Sequence, residues 1–293
     1  MRSSLHGVSH SRQTESFASY SSVNDITIPL SSCLSLRIYD DSKPRVGKVA
    51  DLQKGLILLF KKAELVGEGL GFGVPIVKSV NETYFSGSSR LQVAREGGVF
   101  LVRKEFILDR VERNEFASIR LENKRVRAIL RFIGDVYQNH RRLQLLTPKT
   151  LAHKASYKAK FLKVDPIGSV CVDYTIDGTN VHVKTDFSSL PIDQLERLFM
   201  LNEQAGTCFR RYSDSDGLEL FDDNIGAWLP IRADSSFLTD DQRQVGFRLQ
   251  RVDKTVLRLG REYLKDSLNW AGLDYELGPK DRLFEYDIEV VGA

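Results

Sequence analysis

His182 is one of only five histidines in the 293-residue chain, and it follows an Asp177-Gly178 pair flanked by two alternating runs. Val170, Val172, Tyr174 and Ile176 alternate with other residues before that pair, and Val181, Val183, Thr185 and Phe187 do so after it. This is the pattern of a β-hairpin closed by a tight turn. If Asp177 and Gly178 are the two turn residues, Ile176 pairs with Thr179 and Asp173 falls opposite His182. Cross-strand neighbours stand within about 5.5 Å, so the Asp173 carboxylate could orient the imidazole and raise its pKa. That is the arrangement a general base wants. An exposed charge pair on a solvated strand has the same pattern.

Carboxylates and flat rings gather in the same half. If the chain is catalytic, a carboxylate such as Glu203 or Glu262 would act as base, with His182 or His153 as the partner acid. Trp228, Trp270, Tyr212, Tyr263 and Tyr275 offer apolar faces with polar edges, suited to stacking on a sugar ring. Arg210, Arg211, Arg261 and Asp274 add charged hydrogen-bonding groups. Two stretches set such groups beside glycine, Arg258-Leu259-Gly260-Arg261-Glu262 and Asn269-Trp270-Ala271-Gly272-Leu273-Asp274, where a ligand could approach closely. Proton shuttling at an anomeric centre needs two groups on opposite sides of the ring, and glycoside cleavage needs two carboxylates at a set separation. Against this, aromatics of β-proteins commonly fill the core and Arg–Glu pairs commonly sit on the surface.

The elements that must position these residues read as strands. Gly55 to Phe60, Phe72 to Val77 and Val99 to Phe106 are rich in β-branched and aromatic residues. Leu91 to Arg95 meets Val99 to Arg103 across Gly97-Gly98, a hairpin turn that tolerates positive φ. Phe209 to Tyr212, Leu218 to Phe221, Val245 to Val252, Thr255 to Leu259 and Leu283 to Val291 continue the rhythm. Pro191 to Met200 reads as a brief helix. From 123 to 146, Val126, Ile129, Leu130, Ile133, Val136 and Tyr137 recur every three or four residues, a helical stripe whose other face is basic. Two short strands split at Gly134-Asp135 are the alternative there. The expected architecture is a large two-sheet β-sandwich over 31–293 with a helical insertion near 123–146, preceded by a flexible Ser-rich extension over 1–30.

Composition excludes several classes. The chain is 42% hydrophobic and 28% charged with a net charge of +3, values of a protein with a real core and no global field. No stretch supplies the roughly 20 apolar residues of a spanning helix, so no membrane partner is expected. Three scattered cysteines, Cys33, Cys171 and Cys208, form no CxxC, no disulfide framework and no zinc site, which suits a reducing, cytoplasmic compartment. An organelle transit peptide is the other reading of the first residues.

The run Gly67-Glu68-Gly69-Leu70-Gly71-Phe72-Gly73 fails the G-x-G-x-x-G spacing, and Pro75 interrupts the helix that a histidine-kinase-type ATP box would open. It reads instead as a glycine-rich strand where another backbone approaches. Asp214 to Gly217 has the glycine too early for an EF-hand loop and reads as a turn. No cofactor or metal is expected. The basic stripe, continued by Lys154, Lys158, Lys160 and Lys163, lacks any nucleic-acid motif, and nucleic acid is not the expected partner.

From about Gly168 to Val291 the layout resembles the β-sandwich of galactose mutarotase-like proteins, the aldose epimerases and related sugar-binding domains. The hairpin at Asp177-Gly178, Leu201-Asn202-Glu203-Gln204 leading to Phe209-Arg210-Arg211-Tyr212, Asn224-Ile225-Gly226-Ala227-Trp228 and Phe284-Glu285-Tyr286 carry the resemblance. Asn81-Glu82-Thr83-Tyr84-Phe85 is similar to the N-H-T-Y-F of aldose epimerases, with Glu82 replacing the family histidine and an earlier place in the chain. The resemblance implies a concave sheet face that binds a saccharide. His182, Glu203 and Glu262 are then the catalytic candidates, and Tyr84, Arg211, Trp228, Trp270 and Asp274 the binding candidates. A scaffold without catalysis, holding a protein or nucleic-acid partner on its basic face, is the rival function.

Overall fold

The computed structural model describes residues 25–39, 52–65, 69–80, 82–114, 159–226, 228–264 and 268–292. These are mostly strand. In chain order they form β1 (Asp25–Pro29), β2 (Leu34–Tyr39), β3 (Ile57–Phe60), β4 (Ala63–Glu64), β5 (Gly71–Ser79), β6 (Thr83–Phe85), β7 (Ser88–Glu96), β8 (Val99–Ile107), β9 (Arg110–Asn114) and β10 (Ala159–Lys163). There follow β11 (Ser169–Asp177), β12 (Asn180–Asp186), β13 (Leu195–Ala205), β14 (Arg211–Asp214), β15 (Glu219–Phe221), β16 (Leu229–Pro230), β17 (Ser235–Asp240), β18 (Val245–Gln250), β19 (Val256–Leu264), β20 (Leu268–Leu277) and β21 (Leu283–Gly292).

Two large antiparallel sheets face each other. One has eight strands in the order β10-β9-β6-β5-β13-β20-β19-β16, and the other nine in the order β15-β14-β17-β18-β21-β12-β11-β8-β7. Alternation decides which residues lie between them. Val170, Val172, Tyr174 and Ile176 of β11 and Phe284, Tyr286, Ile288 and Val290 of β21 are all buried. Rings from the two sheets interlock: Phe72 of β5 meets Phe247 of β18 edge-on at 4.9 Å, and Tyr275 of β20 meets Tyr286 at 4.7 Å. A third sheet, β1-β2-β3-β4, is tied on by the fully buried Lys104 of β8, whose Nζ donates to the carbonyls of Tyr39 and Lys54. Strand β1 lies inside the stretch that the sequence assigns to the N-terminal extension.

The glycine-rich run is where chain meets chain. Gly71 and Gly73 have φ of +85° and +72°, and a Cβ on Gly73 would stand 2.6 Å from the Tyr174 ring. The Tyr174 hydroxyl donates to the Gly73 carbonyl across the core at 2.8 Å. Asp214 to Gly217 is a turn, with Asp214 Oδ1 accepting the N–H groups of Asp216 and Leu218.

Two sequence readings need correction. The segment Pro191 to Met200 is helical only as a 3-10 turn at Ile192–Gln194 and then becomes β13, a central strand. Buried on both faces from Met200 onward, β13 loses the alternation that marks a half-exposed strand. The β11–β12 hairpin turns one residue later than expected, on Gly178-Thr179 with Asp177 paired to Asn180. Gly178 alone takes positive φ, at 55°, which fits a turn with glycine in its first central position. His182 therefore stands opposite Thr175 and Asp287, while Asp173 pairs with Lys184 and Arg103. The expected helical stripe at 123–146, its basic face and His153 lie outside the described residues.

Candidate functional site

Strands β13, β20 and β19 are consecutive in the eight-stranded sheet and carry four sequence-selected residues, Glu203, Trp270, Asp274 and Glu262, with Trp228 just before the next strand, β16. On β20, Ala271, Leu273, Tyr275 and Leu277 enter the core, so Trp270, Gly272, Asp274 and Glu276 point to the face turned away from the other sheet. On β19, Leu257 and Leu259 are core, which turns Arg258 and Gly260 to the same outer face. Gly260 and Gly272 are direct cross-strand partners. Their missing side chains leave a flat slot across two strands.

Trp228, just before edge strand β16, lies in that slot. A Cβ on Gly260 would come within 2.3 Å of its Cδ2, and one on Gly272 within 3.0 Å of its Cη2. The indole thus rests against sheet backbone, and the residue as a whole is partly exposed. Glu203 pairs with Gly272, and its Cγ also stands 3.0 Å from a Cβ built there, so the carboxylate side chain flanks the indole. Glu203 is 6% exposed and Asp274 3%. Diagonal neighbours across a strand pair have Cα atoms about 7–8 Å apart, which puts Asp274 within side-chain range of Glu203.

The register shift opposite Leu201 and Asn202 lies in β5, where Gly73 is the extra residue, while β13 keeps its register with β20 and the alternation of its side-chain directions. Asn202 turns into the core, where Oδ1 accepts the Gly73 N–H (3.1 Å) and the Tyr286 hydroxyl (2.8 Å) and Nδ2 donates to the Leu273 carbonyl (3.1 Å). Its own N–H donates to Asp274 Oδ1 at 2.9 Å. The next residue, Glu203, emerges on the outer face. Trp270 keeps its indole N–H buried without an acceptor among the described residues. Glu262 is placed by register alone, opposite Trp270.

The other candidates stand elsewhere. His182 lies on the outer face of the nine-stranded sheet, its Nδ1 2.8 Å from Asp287 Oδ1 and its Nε2 3.8 Å from Glu285 Oε2. Lys184 holds the Glu285 carboxyl below its usual range by hydrogen bond and charge. Asp173, the expected partner of His182, makes a two-pronged pair with Arg103 at 2.6 and 2.7 Å. Arg211, on β14 of the same sheet, pairs with Glu219 and Asp241. Tyr84 is on β6, opposite the buried Val77, and donates to Glu82 Oε2 at 2.9 Å. Burial, more than the nearby Glu82, raises its phenol pKa. The sandwich core thus separates His182 and Arg211 from Glu203.

Sequence reasoning named Arg258 only within the Arg258–Glu262 stretch and gave Glu276 and Asn202 no place at a site. Glu276 could have been found by extending the outward row Trp270, Gly272, Asp274 by one step. Asn202 falls on the core-facing row of Leu198 and Met200, a row hidden because the sequence reads Pro191 to Met200 as a brief helix. Among the described residues no group of histidine, cysteine and carboxylate side chains could hold a metal ion, and no helix is long and apolar enough to cross a membrane.

The described sheets define a two-sheet antiparallel β-sandwich. No family model matches the chain, and no curated protein sequence does. Among solved structures it is similar to the Slr1438 protein of Synechocystis sp. PCC 6803, with 9% identity, 94% of this chain and 99% of that one covered, and a TM-score of 0.37. It is also similar to a galactose mutarotase related enzyme of Lactobacillus acidophilus, with 9% identity, coverages of 92% and 97%, and a TM-score of 0.40. Superpositions this loose leave the chemistry of the chain to its own residues.

Proposed function

We propose that the outer face of the eight-stranded sheet binds a saccharide, with Trp228 as the stacking platform and Glu203 as its carboxylate. The observation that carries this reading is the Gly260–Gly272 slot, which beds the indole beside a buried carboxylate. An aromatic ring with one face fixed to backbone presents the other to the C–H face of a pyranose at little entropic cost. A desolvated carboxylate at its edge makes strong hydrogen bonds to sugar hydroxyls. If the site turns its ligand over, Glu203 is the general base, with Asp274, two residues along β20 from the Glu203 partner Gly272, the second carboxylate. His182 and Arg211 take no part, since they face away on the opposite sheet.

The test is a tryptophan-fluorescence titration with D-glucose, D-galactose, D-mannose and their methyl glycosides. One of them is expected to saturate the signal, and Trp228→Ala is expected to abolish the response. No response up to roughly 100 mM, well past millimolar affinity, would remove the saccharide reading. Anomer exchange followed by NMR then separates turnover from binding. Glu203→Gln is expected to stop exchange while retaining the ligand.

A further inference from the structure

Strand β16 is a weak support for the residue before it. It contributes only two register pairs, Leu229 to Leu259 and Pro230 to Arg258, at the edge of its sheet. Beyond those, the segment is held by the Arg261 N–H donating to the Gly226 carbonyl (2.8 Å) and the Ile231 N–H to the Leu257 carbonyl (2.7 Å). Between these anchors the Trp228 carbonyl accepts from Arg258 Nη2 at 3.0 Å. The same guanidinium sends Nη1 to Glu276 Oε2 at 3.0 Å, and the other Glu276 oxygen pairs with Arg197. Arg258 and Glu276 are 20% and 14% exposed, so water screens this pair only in part.

We infer that Arg258, braced by Glu276 and Arg197, is a positioning residue that fixes the Trp228 indole in the glycine slot. The planar fork of arginine suits the task, because one nitrogen can bond the carbonyl while the other bonds the carboxylate. The relay runs across three neighbouring strands, from Arg197 on β13 through Glu276 on β20 to Arg258 on β19. It orders the platform before any ligand arrives. This inference deepens the saccharide reading and rests on it for its purpose, though not for its geometry.

Trp270→Phe leaves Trp228 as the sole tryptophan and makes its emission a reporter. In that background Arg258→Gln is expected to shift Trp228 emission to the red and to raise acrylamide quenching. Far-UV circular dichroism should be retained. Arg258→Lys, which keeps one donor for the carbonyl, is expected to restore part of the shift, and Glu276→Gln to give an intermediate value. In the two-tryptophan protein, Arg258→Gln is expected to weaken D-galactose or D-glucose binding about three- to tenfold, the cost of ordering a freed side chain on binding. Unchanged emission and quenching in both Arg258→Gln and Glu276→Gln overturn the positioning role. A shifted emission with no saccharide response in the parent protein sinks the saccharide reading alone and leaves the relay standing. If Arg258→Gln loses its folded spectrum, the lysine and Glu276 variants decide.

Discussion

Replacing Gly260 by alanine puts one methyl group where the Trp228 indole now lies. The new Cβ would stand 2.3, 2.5 and 2.8 Å from Cδ2, Cε3 and Cε2. The ring must retreat by about 1.2 Å to go from 2.3 Å to the 3.5 Å at which carbon contacts become attractive. Gly260 has no left-handed φ, so the backbone itself accepts alanine. Overpacking of this kind costs about 1–3 kcal/mol, and removing a strand glycine returns roughly 0.5–1 kcal/mol. The net loss is of order 1 kcal/mol, a fall of roughly 2–4 °C in melting temperature for a domain of this size. Binding should suffer far more than stability, because the platform leaves its bed. Gly272→Ala, whose Cβ would meet Trp228, Glu203 and the Asn202 carbonyl at 3.0 Å each, should give a smaller displacement of the same kind. Urea melts measure the stability change, and acrylamide quenching of Trp228 in the Trp270→Phe background measures the displacement. Quenching in Gly260→Ala equal to that of its parent would refute the account of the slot.

Further outcomes follow from the same contacts. His182→Ala should leave saccharide binding within error of the parent, and a lost response in titration would contradict the separation of the two faces. Asn202→Ala strips acceptors from the Gly73 N–H and the Tyr286 hydroxyl, and at about 1–3 kcal/mol for each stranded buried group it should destabilise strongly in urea melts. Burial raises the Glu112 pKa above 4.5, so the folded state favours its neutral form. Its contribution is complete below the unfolded value and is lost as pH rises through the raised folded value. Glu112→Gln should therefore raise the melting temperature at pH 8 and leave it unchanged at pH 4. A gain of equal size at both pH values would refute desolvation as the cause.

How much of this was legible depends on how each strand is exposed. The faces of β11 and β12 could be read because one side meets the core and the other meets water. Their register could not, since the choice between Asp177-Gly178 and Gly178-Thr179 rests on one glycine φ, and the choice moved the partner of His182 from Asp173 to Thr175. Strand β13 was hidden for the opposite reason, having no wet face along most of its length. In β20, Ala271, Leu273, Tyr275 and Leu277 do alternate, yet the sequence reading names Asn269 to Asp274 only as polar and aromatic groups beside glycine and assigns no strand there. The chemistry of Glu203, Trp228, Trp270 and Asp274 was visible as residue types. That they share one face came only from the pairing of three strands.

Strand β21 carries a consequence for synthesis. It follows every other described strand in the chain, yet it occupies the middle of the nine-stranded sheet, between β18 and β12. Until it leaves the ribosome, β15-β14-β17-β18 and β12-β11-β8-β7 are two half-sheets with open edges and no shared hydrogen bonds. Such edges invite pairing with other chains. Tyr286, which reaches Asn202, belongs to this strand. The Asn202 hydrogen bonds beside Glu203 are therefore incomplete until β21 docks, and any delay there leaves both an unfinished site and two sticky edges.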